Sequence, residues 1–176
     1  MENHLDQIYV TGIHEIIWGC LLVAVTLAFH GFGMLTILRT MARFKAHFQK
    51  QHTLVFGLLS IVLTSWMIIV VHLLEVFSWA GFFIWKDAVS SPNANASLAY
   101  YLALMDYTTL GCNFNLVLRW RLLEGMIAIA GLLTFAWSTG VMLTLAQQLQ
   151  DEYLQRFKPK APAGKAQSSG SSKATE

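Results

Sequence analysis

Three apolar stretches, residues 16–38, 53–85 and 122–146, govern what this chain can fold into. Each is long enough, at about 1.5 Å per helical residue, to cross a hydrocarbon core of about 30 Å. With 55 % hydrophobic and 12 % charged residues, the 176-residue chain lacks the polar side chains to cover a soluble globule. It reads as an all-α integral membrane protein with lipid around it. The formal net charge of +2 is small, and the basic residues fall in loops and tail, so lipid headgroups are the acidic partner implied and nucleic acid is not. Cys20 lies inside an apolar stretch and Cys112 in a loop, contexts that imply no shared bridge.

Basic residues set the expected topology. Arg39, Arg43, Lys45 and Lys50 occupy the 39–52 segment with no acidic residue among them, and no Lys or Arg precedes Arg39. The positive-inside rule then places 39–52 in the cytoplasm and the N-terminal segment, 1–15, outside. The first stretch is too long, and preceded by Glu2 and Asp6 rather than basic residues, for a cleaved signal peptide. Helix two is expected over 53–85, with Trp79 and Trp85 at the outer interface. An outer loop rich in small polar residues follows at 87–97, where Asn95 or Ser97 can cap the next helix and Asn95-Ala96-Ser97 fits a glycosylation sequon. Residues 150–176 turn to Lys, Pro, Gly, Ala and Ser and read as a disordered cytoplasmic tail. The expected location is a cell membrane, a bacterial inner membrane in particular.

Between the second and third stretches lies a shorter, half-apolar segment, 100–117, with Thr108-Thr109-Leu110-Gly111 at its middle. This is the layout of a half-helix, 98–108, that dips into the bilayer and returns as extended backbone over 109–117. Irregular backbone at membrane depth is tolerated where it lines a cavity, and potassium-selective pores use such carbonyls to replace an ion's hydration shell. From Thr53 to about Leu149 the chain resembles the bacterial two-transmembrane pore-loop potassium channel family. The resemblance is carried by His72-Leu73-Leu74-Glu75, Trp79-Ala80, Tyr107-Thr108-Thr109-Leu110-Gly111, Trp120-Arg121-Leu122-Leu123, Gly131-Leu132-Leu133, Phe135 and Trp137-Ser138-Thr139. It implies a 53–149 pore domain, with outer helix 53–85 and inner helix 122–146, preceded by an additional membrane helix at 16–38. It also implies a homotetramer passing monovalent cations, potassium among them, and a filter built from Thr108, Thr109, Leu110, Gly111, Cys112, Asn113 and Phe114.

Where the family reads Tyr-Gly-Asp, this chain has Cys112-Asn113-Phe114. Asn is the side-chain-bearing residue that best tolerates φ > 0, so Asn113 can keep the backbone path. Cys112 removes a ring that props the filter unless Phe114 takes its place, and Phe114 removes a carboxylate from the outer mouth. Two other readings therefore stay open: a channel-like scaffold that conducts nothing or with altered selectivity, and a metal- or proton-responsive membrane sensor.

Ionisable residues within apolar stretches are candidates for function. His72 and Glu75, one turn apart, are expected to pin the backbone amides of the loop, and Asp106 either supports the filter from behind, protonated or paired, or adds cation attraction to the pore. His14 and Glu15 would join His72 and Glu75 in a zinc-type ligand set if the first two helices pair as a hairpin. His30 reads as an interhelical hydrogen-bonding residue. With helix one ending at Leu38, His30 and His72 differ in height by about 15 Å, too far to share a haem iron, and no cofactor beyond a permeant cation is expected. Gly131 and Gly140 are candidate gating hinges or sites of close helix packing. No nucleophile, phosphate loop or paired-cysteine array suggests an enzyme.

Overall fold

The computed structural model describes residues 12–47 and 54–157, and it is helical throughout apart from the connections. The elements are α1 (Ile13–His47), α2 (Leu54–Trp85), α3 (Ala96–Tyr107), a short 3-10 turn (Leu118–Trp120) and α4 (Leu122–Phe157). Three of the helices are long and apolar enough to span a membrane, as Ile13–Phe44, Gly57–Trp85 and Leu118–Asp151. Many large apolar residues on these helices are exposed, Phe32, Val62, Trp66 and Leu132 among them, as a lipid-facing surface requires. This is a multi-pass membrane architecture.

Two helices run further than the apolar stretches alone suggest. α1 continues through Arg39 and Arg43 to His47, because Met34, Ile37 and Met41 keep the i, i+3, i+7 spacing and are buried against α2. Its basic residues complement the negative end of the helix dipole instead of ending the helix. Much of the expected 39–52 loop is therefore helix, and 48–52 lies outside the described residues. α4 likewise continues to Phe157, through the first part of the expected tail, since helix-forming Gln, Leu and Glu persist until Pro159. Leu149 packs onto Gly57 of α2 there. Residues 158–176, like 1–11, lie outside the described set.

α3 is the short element. Its 12 residues extend about 18 Å, well under a hydrocarbon core. Asn95 starts it: in extended conformation, its side chain accepts from the Leu98 N–H at 2.9 Å. Ala99, Leu102, Ala103 and Tyr107 form one buried stripe at helical spacing. They enter a core with Val76, Trp79, Phe83, Leu123, Ile127 and Ala130 of α2 and α4. Trp79, expected at the outer interface, instead has no exposed surface, and its indole N–H donates to Thr26 Oγ1 of α1 at 2.9 Å. Trp85 is the exposed one.

A glycine fixes how close α3 comes to α4. A Cβ at Gly131 would lie 2.0 Å from the Tyr107 carbonyl oxygen, so only glycine admits the C-terminal end of α3. Gly140 has open space around it. After α3, residues 108–116 run back to the loop that follows α2, where Val89 bridges Leu116 and Val117 N–H donates to the Ala88 carbonyl at 2.8 Å. Leu116 N–H is also held by Glu124 Oε1 at 2.6 Å.

Candidate functional site

Two adjoining features emerge: a closed ring of buried polar side chains, and the segment 109–114 that leaves it. His72 and Glu75 sit on one face of α2, and Thr134 and Ser138 occupy one face of α4 at i, i+4. α1 contributes His30 and α3 contributes Tyr107, so all four helices meet here. His30 Nδ1 is 2.9 Å from Glu75 Oε1, and the Tyr107 hydroxyl donates to Glu75 Oε2 at 2.5 Å. His72 Nδ1 lies 2.9 Å from the same hydroxyl and 3.4 Å from Glu75 Oε2. On the opposite edge of the two imidazoles, Ser138 Oγ is 3.0 Å from His72 Nε2 and 3.2 Å from His30 Nε2. Thr134 Oγ1 is 2.6 Å from the Tyr107 hydroxyl. His30, Glu75, Tyr107, Thr134, His72 and Ser138 are all buried. A carboxylate so placed is tolerable only because it is hydrogen-bonded on both oxygens.

The structure corrects the expected geometry of this cluster. His30 and His72 are at the same height: seventeen residues separate His30 from the end of α1 at His47, and eighteen separate His72 from the start of α2 at Leu54. The 15 Å mismatch came from ending α1 at Leu38. Their rings are in fact 5.1 Å apart and tilted by 32° to one another, and Phe135 lies 4.6 Å from His72. His14 and Glu15 do not join the group. His14 is exposed, and Glu15 Oε1 accepts the Leu122 N–H at the start of α4 at 2.5 Å, a helix cap supplied from a neighbouring helix. His72 and Glu75 do reach α3, but through the Tyr107 hydroxyl and not through backbone amides. Asp106 is part of no such pairing: its Oδ2 is buried with no hydrogen-bond partner among the described residues.

Tyr107, Thr134 and Ser138 escaped the sequence reading as site residues. The signal was a hydroxyl pair spaced i, i+4 in an apolar helix, which gains meaning only when set against His30, His72 and Glu75.

The segment after Tyr107 opens with a Schellman turn. Thr109 N–H donates to Asp106 O at 2.9 Å and Leu110 N–H to Met105 O at 2.9 Å, with Thr109 at φ 62°. Gly111 follows at φ 68°. Left-handed backbone thus occurs at Thr109 and Gly111, and it does not occur at Asn113, where the sequence allowed it. Among the described residues, the carbonyls of Thr109, Leu110, Gly111, Cys112 and Asn113 accept no hydrogen bond. Leu110 and Phe114 are exposed, at 73 % and 44 %. Phe114 is not among the residues packed into the core around α3. Cys112 is half-buried, packs at the margin of the core, and its thiol donates to the Phe114 carbonyl at 3.3 Å.

This fold and this site define a helical multi-pass membrane protein with a buried histidine–carboxylate ring beside a loop, 109–113, whose carbonyls accept no hydrogen bond among the described residues. Comparison with protein-family models, with curated proteins and with solved structures gives no match for the chain.

Proposed function

We propose that the chain is one subunit of a membrane pore for monovalent cations, in which α3 is a re-entrant half-helix and several copies, four by the family resemblance, surround a common axis. The observation that carries this reading is the run of five successive carbonyls, Thr109 to Asn113, that accept no hydrogen bond among the described residues. Unpaired peptide groups within a bilayer each cost several kcal/mol. If 109–113 lies within the bilayer, such a run persists only where water or a cation is the partner. α3 supports the same reading, being too short to span and held between α2 and α4 by its buried stripe. Thr109 would offer a carbonyl at the inner mouth, with Leu110 and Gly111 above it. In this reading the protein is no enzyme, its N-terminus faces outward, and α4 leads into the cytoplasm.

The loss of left-handed backbone at Asn113 and the outward Phe114 favour a pore of altered selectivity over one strictly selective for potassium. Purified protein in liposomes should pass potassium, sodium and caesium with ratios closer to unity than a strict potassium filter gives. Absence of flux for all three at both signs of voltage, from protein shown to be folded and oligomeric, would exclude conduction.

A further inference from the structure

We propose that His30, His72 and Glu75 form a buried site for a divalent transition-metal ion of the zinc class, with the Tyr107 hydroxyl beside it. Such a site is independent of conduction and would exist whether or not the protein passes ions. His30, Glu75, Tyr107, His72 and Ser138 close into a ring of five contacts, at 2.9, 2.5, 2.9, 3.0 and 3.2 Å in that order. Each contact needs one hydrogen between its two heavy atoms. Two neutral imidazoles, one phenol and one serine hydroxyl supply four, and an ionised carboxylate supplies none. Every choice of tautomer leaves one lone pair facing another. The Thr134 hydroxyl, directed at Tyr107 or at the carbonyls of its own helix, does not enter the ring. The site is therefore short of one positive centre, among side chains that are all buried.

A metal ion on the Nδ1 edge removes that shortage completely. Both imidazoles then bind through Nδ1, and both Nε2–H groups point at Ser138 Oγ, whose two lone pairs can accept them. Metal-bound histidines ordinarily need such an outer partner. Tyr107 keeps its proton and donates to the carboxylate oxygen that the ion leaves free, or supplies a fourth ligand. Two histidines and one glutamate are an established ligand set for zinc. Tetrahedral ligands at about 2.0–2.1 Å stand about 3.3 Å from one another. His30 Nδ1 is now 2.9 Å from Glu75 Oε1 and His72 Nδ1 3.4 Å from the other oxygen, Oε2; one ligand atom from each of the three residues lies within 4.8 Å of the others, so a small rotation of the side chains gathers them around one ion. The His72 side chain, 11 % exposed, is the edge by which an ion would enter. Loaded, the site would tie α1 and α2 together beneath Tyr107 and so fix the depth at which 109–114 begins.

The full chain, purified in detergent and stripped with a chelator, should bind Co²⁺ at one ion per chain, with the intense visible bands of a tetrahedral site. Zn²⁺ should displace the Co²⁺ and raise the thermal unfolding midpoint. His30→Gln and Glu75→Gln should abolish the bands, and His14→Gln should leave them intact. Ser138→Ala, which removes only the outer partner, should weaken binding by about 10–100-fold. Folded wild-type protein, helical by circular dichroism, that shows neither bands nor metal-dependent stabilisation would overturn the proposal, because the missing positive centre would then be a proton. Co²⁺ bands that survive His30→Gln would overturn it as well. None of these readouts involves flux, so they stand or fall apart from conduction.

Discussion

Tyr107 is the one side chain through which α3 touches the buried ring, and its hydroxyl serves Glu75, His72 and Thr134 together. Tyr107→Phe keeps the ring's volume and leaves Glu75 Oε2 without its short donor. An unmet buried acceptor costs about 1–3 kcal/mol, and more if it is charged, so the variant should unfold at a clearly lower temperature in detergent than the parent. An unchanged midpoint would show that the hydroxyl is not what holds α3. Gly131 and Gly140, read alike from the sequence, separate at this scale. Gly131→Ala meets the Tyr107 carbonyl at 2.0 Å, whereas Gly140→Ala meets nothing. We expect Gly131→Ala to lower the midpoint or displace α3, and Gly140→Ala to raise stability by about 0.5–1 kcal/mol through the better helix former. His72 and Glu75 were legible as a pair because i, i+3 spacing alone puts them on one face. His30 was legible only as a lone histidine, since its partners are 45 and 108 positions away in the chain.

At the level of elements, hydropathy located the three spans, but it could not locate their ends. Arg39 and Arg43 look like a boundary on a charge scale, yet a helix leaving the bilayer can continue with its polar residues in water, and Met41 still has a buried place to fill. That extension sets the register of α1 against α2. It brings His30 level with His72 and carries Glu15 to the start of α4. Two caps hold the shorter joints of the molecule, and each can be tested. Asn95→Ala removes the acceptor for Leu98 N–H and should cost about 0.5–2 kcal/mol, read as faster hydrogen exchange over the first turn of α3 with the cluster at Tyr107 little changed. Glu15→Ala removes the carboxylate that receives the Leu122 N–H from another helix. It should expose the first turn of α4 to exchange without affecting α3. If both variants behave like the parent, these caps are ornaments of an arrangement fixed by packing alone.

For the whole molecule, the sequence carried the class and the expected assembly by two different routes. Apolar length gave a membrane protein directly, because no soluble core could contain these residues. The proposed pore rests on the family resemblance together with the carbonyls of 109–113, which accept no hydrogen bond among the described residues, and it requires neighbours that one chain does not supply. Electrostatics offers a test specific to that assembly. If copies of 109–114 surround an axis, Phe114, exposed at 44 %, lies near its outer mouth. Phe114→Asp then places one carboxylate per subunit around the mouth, which concentrates cations there. Screening decides how far that field reaches: the Debye length is about 30 Å at 0.01 M salt and about 3 Å at 1 M. Cation flux through Phe114→Asp should therefore exceed that of the parent severalfold in dilute salt and converge with it near 1 M. An isolated subunit, or an assembly with this segment on its rim, would gain no such salt-dependent difference, since a single exposed carboxylate beside bulk solvent has no confined path along which to concentrate ions.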